Sequence, residues 1–170
     1  MARASAVLAV AAMDAYFTDQ YCTGLVPYIK RHGPTKKIKE RLVAAGLGVD
    51  QALEMAVMKR PYARVLSLMK QHMERRTTQA PKAINALYLD YDIHNFLQQV
   101  EKSMNRRNLI RRVELLVERR HKIVHSGDLN GRNRANTVDV LDIDARIQDV
   151  RILVHGANAF LVDRFGSVFA

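Results

Sequence analysis

The residues with chemistry in them lie close together. Residues 109–127 read Leu-Ile-Arg-Arg-Val-Glu-Leu-Leu-Val-Glu-Arg-Arg-His-Lys-Ile-Val-His-Ser-Gly. On a helix of about 3.6 residues per turn, Leu109, Val113, Leu116, Val117, Ile123 and Val124 gather into one apolar stripe. Arg120 falls in the middle of that stripe. A guanidinium is always charged, and burying one unpaired costs several kcal/mol even after relaxation. Arg120 therefore calls for a carboxylate, a partner subunit's groove or an anionic ligand. His125 projects from the last turn, and Ser126-Gly127 behind it supplies the natural helix stop. An anion binder and a titratable imidazole thus meet at one helix end.

Such a pair suits metal-free cleavage of RNA, in which the 2′-hydroxyl attacks the adjacent phosphorus. That reaction needs a base for the hydroxyl, a positive charge for the phosphorane oxygens and an acid for the leaving 5′-oxygen. An imidazole, with an ordinary pKa near ~6.5, serves as base or acid at neutral pH, which assigns that work to His125. The planar fork of Arg120 fits the nonbridging oxygens. His121 can orient the phosphate or assist proton transfer. Arg119, Lys122 and Arg112 are candidates for contacts to the RNA backbone. One chain offers too few groups for a complete acid–base pair, so a site shared between two subunits is expected.

Arg120-His121-x-x-x-His125 resembles the Arg-polar-x(3)-His signature of HEPN domains, in character the RiboL-PSP-HEPN and MAE-like group, and Arg119 fits that family's looser spacing. The hydrophobic helix leading into the motif matches as well, and His-Ser-Gly stands where the family often has His-Gly. The resemblance implies a helical bundle, commonly a homodimer with two motifs facing across a cleft, and a metal-independent endoribonuclease. Family members often act as toxins or in phage defence, sometimes beside a neutralising antitoxin protein. Histidine at position 121 departs from the usual asparagine or aspartate. A HEPN-like module that binds RNA or protein, with Arg120 paired across a dimer interface and no cleavage, is therefore the alternative.

A different use of the same helix is metal binding. Glu114, Glu118, His121 and His125 recur at helical steps along one edge. Lys122 and the neighbouring arginines oppose a cation there, and the spacing is not His-Glu-x-x-His, so the expectation is no metal and no cofactor.

The elements that must position these groups read as helices throughout. With 8 Gly and 4 Pro in 170 residues, the composition is that of a helix former and of a single domain. Ser5 to about Tyr21 is expected to form a first, largely apolar helix, broken by Cys22-Thr-Gly-Leu-Val-Pro. Lys30 to Lys37 is expected to be a basic loop. Helices are further expected from Thr35 to Ala45, from Asp50 towards Pro61, from Pro61 to about Arg76, and from Pro81 through Leu89. Asp90 or Asp92 is expected to cap a helix reaching Met104. After the motif helix, residues 128–136 are polar and turn-rich, and Val138 to Ile143 reads as a short extended piece. A last helix from about Asp142 to Phe165 completes an all-α bundle.

The net charge of +10 favours a polyanionic partner such as RNA. The single cysteine, Cys22, permits no internal disulfide and fits a reducing cytoplasm. No apolar run is long enough to span a membrane. Residues 4–13 are apolar behind Arg3, but Asp14-Ala-Tyr-Phe continues the helical pattern, so they are read as part of a helix rather than as an export signal.

Overall fold

The computed structural model describes residues 1–129 and 134–169, with the backbone alone at Ser167. Within them the chain is all-helical, with eight α-helices and two short 3-10 turns. The helices are α1 (Ala2–His32), α2 (Lys36–Ala44), α3 (Val49–Ala56), α4 (Pro61–Glu74), α5 (Pro81–Tyr88), α6 (Phe96–Ser103), α7 (Leu109–Ser126) and α8 (Val140–Phe165). The long α1 is the central post. It buries Ala6, Val10, Met13, Phe17, Tyr21, Leu25 and Tyr28 at three- and four-residue steps, and α4, α7 and α8 pack around it.

The first helix runs eleven residues past the expected break at Tyr21. Tyr21, Cys22, Gly24, Leu25 and Tyr28 are buried there, so tertiary packing outweighs the weak helix propensity of Gly24 and Pro27. Pro27 is exposed, and the carbonyl it leaves without an N–H partner can be hydrated. Gly24 is a packing residue: a Cβ at this position would lie 2.1 Å from the ring of Phe169. Gly24→Ala is expected to cost about 2 kcal/mol through overpacking, lowering Tm by roughly 4–8 °C. Thermal unfolding of Gly24→Ala beside Gly24→Ala/Phe169→Leu checks this, because the smaller side chain should restore part of the loss.

Thr35 caps α2 as its type predicts, its Oγ1 accepting from the Ile38 N–H at 3.1 Å. Asp90 is not a helix cap. Its buried carboxylate accepts from Tyr21 Oη at 2.8 Å and from both Nε and Nη2 of Arg41, tying α1 and α2 to the turn after α5. Asn95, in the left-handed region, precedes α6 instead. Tyr88 and Phe96 stack at 4.1 Å between ring centroids, and Phe17 meets both edge-on. The piece expected to be extended becomes the start of α8, because Asp139 Oδ1 accepts from the N–H groups of Leu141 and Asp142 at 2.9 and 3.3 Å. Of the polar stretch after the motif, residues 130–133 lie outside the described residues. Its two ends meet in an isolated bridge between Leu129 and Ala135.

Candidate nucleic-acid site at the end of α7

The motif helix occupies its expected span and ends on Gly127 in the left-handed conformation at φ 59°, which glycine adopts without strain. Its apolar stripe enters the core only over the first half. Leu109, Val113 and Leu116 are fully buried, Val117 and Ile123 partly, and Val124 is 48 % exposed. One side of the last turns of α7, with Ile123 and the half-buried Arg120, still leans on the bundle, while His121, Lys122 and His125 are exposed. The imidazoles of His121 and His125 lie side by side, 4.2 Å between ring centroids.

The four arginines of α7 divide sharply. Arg111 donates to Glu114 at 2.8 Å and to Glu118 at 3.0 Å on the helix surface. Arg112 forks onto Asp149 of α8 at 2.8 and 3.0 Å. Arg119 donates to Asp128 at 2.7 Å and to the Thr137 carbonyl at 3.0 Å. Among the described residues, Arg120 alone of the four has no carboxylate partner. It is half-buried, and its Nε is buried without any hydrogen-bond partner.

Asp128 was not singled out by the sequence, yet it organises this end of the molecule. Its side chain is fully buried and accepts from Arg3 Nε at 2.8 Å, from Arg119 and from Asn136 Nδ2 at 3.1 Å. Arg3 also donates to the Asn136 carbonyl at 2.6 Å, and the Asn136 N–H to the Asp128 carbonyl at 2.8 Å. The start of α1, the end of α7 and the segment leading into α8 are thus fastened at one carboxylate. Burial pushes that carboxyl up, but the hydrogen bonds from Arg3 and Asn136 and the charges of Arg119 and Arg3 outweigh it, and Asp128 titrates below the ordinary carboxylate value.

Two grooves flank the projecting turns. One, of about 370 Å³, runs along the histidine edge between Pro81 and Val117, with Glu118, His121 and Lys122 at its rim. The other, of about 280 Å³, lies between α7 and the start of α8 and takes in Arg119, Lys122, Asp142 and Arg146. Lys122 stands on the ridge between them. A larger groove of about 410 Å³ lies away from the motif, where α1 meets α4 over Cys22 and Met73. Burial there pushes the Cys22 thiol up to about 11, so it is protonated at neutral pH and a poor nucleophile.

Of the proposed residues, the structure brings His121 and His125 together and leaves Lys122 open beside them. It engages Arg112 and Arg119 with internal carboxylates. Arg120 and His125 sit about 140° apart around the helix at 100° per residue, so they flank the helix end rather than converge within one chain. For the metal reading, Glu114 and Glu118 are both held by Arg111, and no group of three or more acidic, histidine or cysteine side chains is arranged to hold an ion among the described residues. Likewise, no helix among them is long and apolar enough to cross a membrane. In comparison with known proteins, no family model, no curated protein and no solved structure matches the chain.

Proposed function

We propose that the chain is a metal-independent endoribonuclease of the HEPN type, working as a homodimer through the end of α7. The observation that carries this reading is Arg120: a half-buried guanidinium with no carboxylate partner among the described residues, on the turn before two adjacent exposed imidazoles. Leaving a buried charged donor unpaired is costly, and a phosphate is the anion whose oxygens suit its fork.

In this mechanism one His125 takes the proton of the 2′-hydroxyl as its oxygen bonds to phosphorus. Arg120 holds the nonbridging oxygens, and the P–O5′ bond breaks as a second imidazole protonates the leaving oxygen. The products are a 2′,3′-cyclic phosphate and a 5′-hydroxyl. The second imidazole comes from the partner copy's motif or from the neighbouring His121. Lys122 contacts the RNA backbone, whereas Arg112 and Arg119 act through the carboxylates they hold. Exposed apolar side chains at this end, Val124 and, at the start of α8, Val140 and Leu141, support a second copy as the cover. A toxin or phage-defence role with an antitoxin partner fits the strongly basic chain.

A non-catalytic RNA- or protein-binding module is favoured by one observation, that Arg112 and Arg119 are already paired within the chain. The deciding experiment is incubation of labelled total RNA with the protein in excess EDTA. Cyclic-phosphate ends in chelator support the nuclease. Cleavage that EDTA abolishes would overturn the mechanism in favour of a metal, and intact RNA from a folded protein would leave the binding module.

A further inference from the structure

The turn between α4 and α5 borders a groove into which two helices bring cations. The groove, of about 180 Å³, has Arg41 of α2, Arg76 and Thr77 in its polar lining and Met73, Ala83 and Leu87 in its apolar lining. Among the described residues no carboxylate lines it. The acids nearby are engaged or face another way. Asp90 takes Nε and Nη2 of Arg41, which leaves Nη1 without a hydrogen bond. Asp14 accepts from the Thr78 N–H at 2.7 Å and from Gln79 Nε2 at 3.0 Å, and it lines the groove between α1 and α4 together with Glu74.

The donors left over are of the kind an oxyanion takes. Arg76 Nη1 donates only to the imidazole of His72, at 3.3 Å from its Nε2. Thr77 is exposed, and neither its amide nor its hydroxyl has a partner among the described residues. The bonds from Asp14 to Thr78 and Gln79 fix the turn that carries Arg76 and Thr77, so these donors are placed before any ligand arrives. His72 reports the potential they create. Its imidazole titrates below the ordinary value, first because burial disfavours the charged form and then because Arg76, Arg41 and Arg75 repel it. Arg75 and Arg76 follow the C-terminus of α4, where any helix favours cations. Arg41 comes from α2, so the meeting of its charge with theirs is a product of the tertiary fold.

We propose that this groove is a phosphate-binding site, in which Arg76, Nη1 of Arg41 and Thr77 donate to the phosphate oxygens. Donors converging from three separate residues suit a tetrahedral oxyanion better than a planar carboxylate, which a single guanidinium fork satisfies. The groove along the histidine edge of α7 begins at Ala80, three residues from Thr77 and therefore within about 11 Å of it. The phosphate is that of a free monoester or of an RNA strand continuing from that edge, and the binding chemistry is the same for both. It does not depend on cleavage at α7.

The test follows the His72 ring by NMR, assigned with His72→Gln, as inorganic phosphate replaces chloride at constant ionic strength. The expected result is a saturable shift of the His72 resonances and a rise in its apparent pKa, because a bound anion offsets the arginines. Arg76→Gln and Thr77→Asp, both at exposed positions that keep the helical circular dichroism, should each weaken phosphate binding by about tenfold or more. A His72 ring that phosphate moves no more than chloride does overturns the proposal, and so does a saturable response that survives in both variants. Binding of a 2′-O-methyl RNA decamer, which has no 2′-hydroxyl to attack, separates the two sources. If an RNA phosphate occupies the groove, Arg76→Gln lowers the slope of log affinity against log salt by about 0.7. An unchanged slope, beside a wild-type response to phosphate, assigns the groove to a free monoester.

Discussion

Arg120→Ala and His125→Ala are each expected to reduce RNA cleavage by about a thousandfold or more, the scale of losing a transition-state donor or a general acid–base group. The two losses have different structural signatures. His125 is exposed on the last turn of α7, so its removal leaves the fold as it is. Among the described residues Arg120 has no carboxylate to strand, and its Nε meets no partner. Arg120→Ala should therefore keep or slightly raise Tm while it destroys activity. Arg120→Lys keeps the charge but not the planar fork, and should recover only a small part of the rate. Arg119→Ala should behave in the opposite way, losing stability first, since it removes one of the two arginines on buried Asp128. Single-turnover cleavage and thermal unfolding of the four variants separate the two groups. Full activity in Arg120→Ala or His125→Ala would remove these residues from the chemistry.

This contrast between neighbours marks what the sequence can disclose. Arg120, His121 and His125 are legible because their relation is local: helical spacing alone sets the histidines on one edge and the arginine on the stripe. The roles of Arg119 and Arg112 are not, because their partners depend on tertiary geometry. Asp149 lies 37 residues from Arg112, and Asp128 becomes a clamp only when Arg3 arrives from the other end of the chain. The helix boundaries divide in the same way. Thr35, Pro61, Pro81 and Gly127 act where their local chemistry places them. Gly24, read as a breaker, is instead a site of close approach for Phe169, a contact that no window around residue 24 contains. Val124 fails as a core residue for a similar reason. Periodicity places it on the stripe, but only its neighbour Ile123 packs against the core there, and Val124 stands at the exposed edge.

Asp128→Ala is expected to destabilise the protein by about 3 kcal/mol, the lower part of the range for breaking a buried ion pair, because both arginines it strands keep some access to water. The cost should fall on function as well. Asp128 joins the start of α1 to the end of α7, and its own N–H donates to the Lys122 carbonyl at 3.1 Å, which fixes the turn carrying the histidines. Its pH dependence follows from the direction of its shift. A carboxyl held below its unfolded value stabilises the native state fully above the unfolded pKa of about 3.9 and loses that contribution as pH falls through the lower native value. The Tm gap between wild type and Asp128→Asn should therefore be constant from pH 7 to about pH 5 and close at more acid pH. A gap that instead widens on acidification would mean that the carboxyl is protonated in the native state, with Arg3 and Arg119 held by something else. Hydrogen exchange gives the local counterpart: in Asp128→Asn the amides of the last turn of α7 should exchange faster than those of α4, which makes no hydrogen bond to the clamp among the described residues.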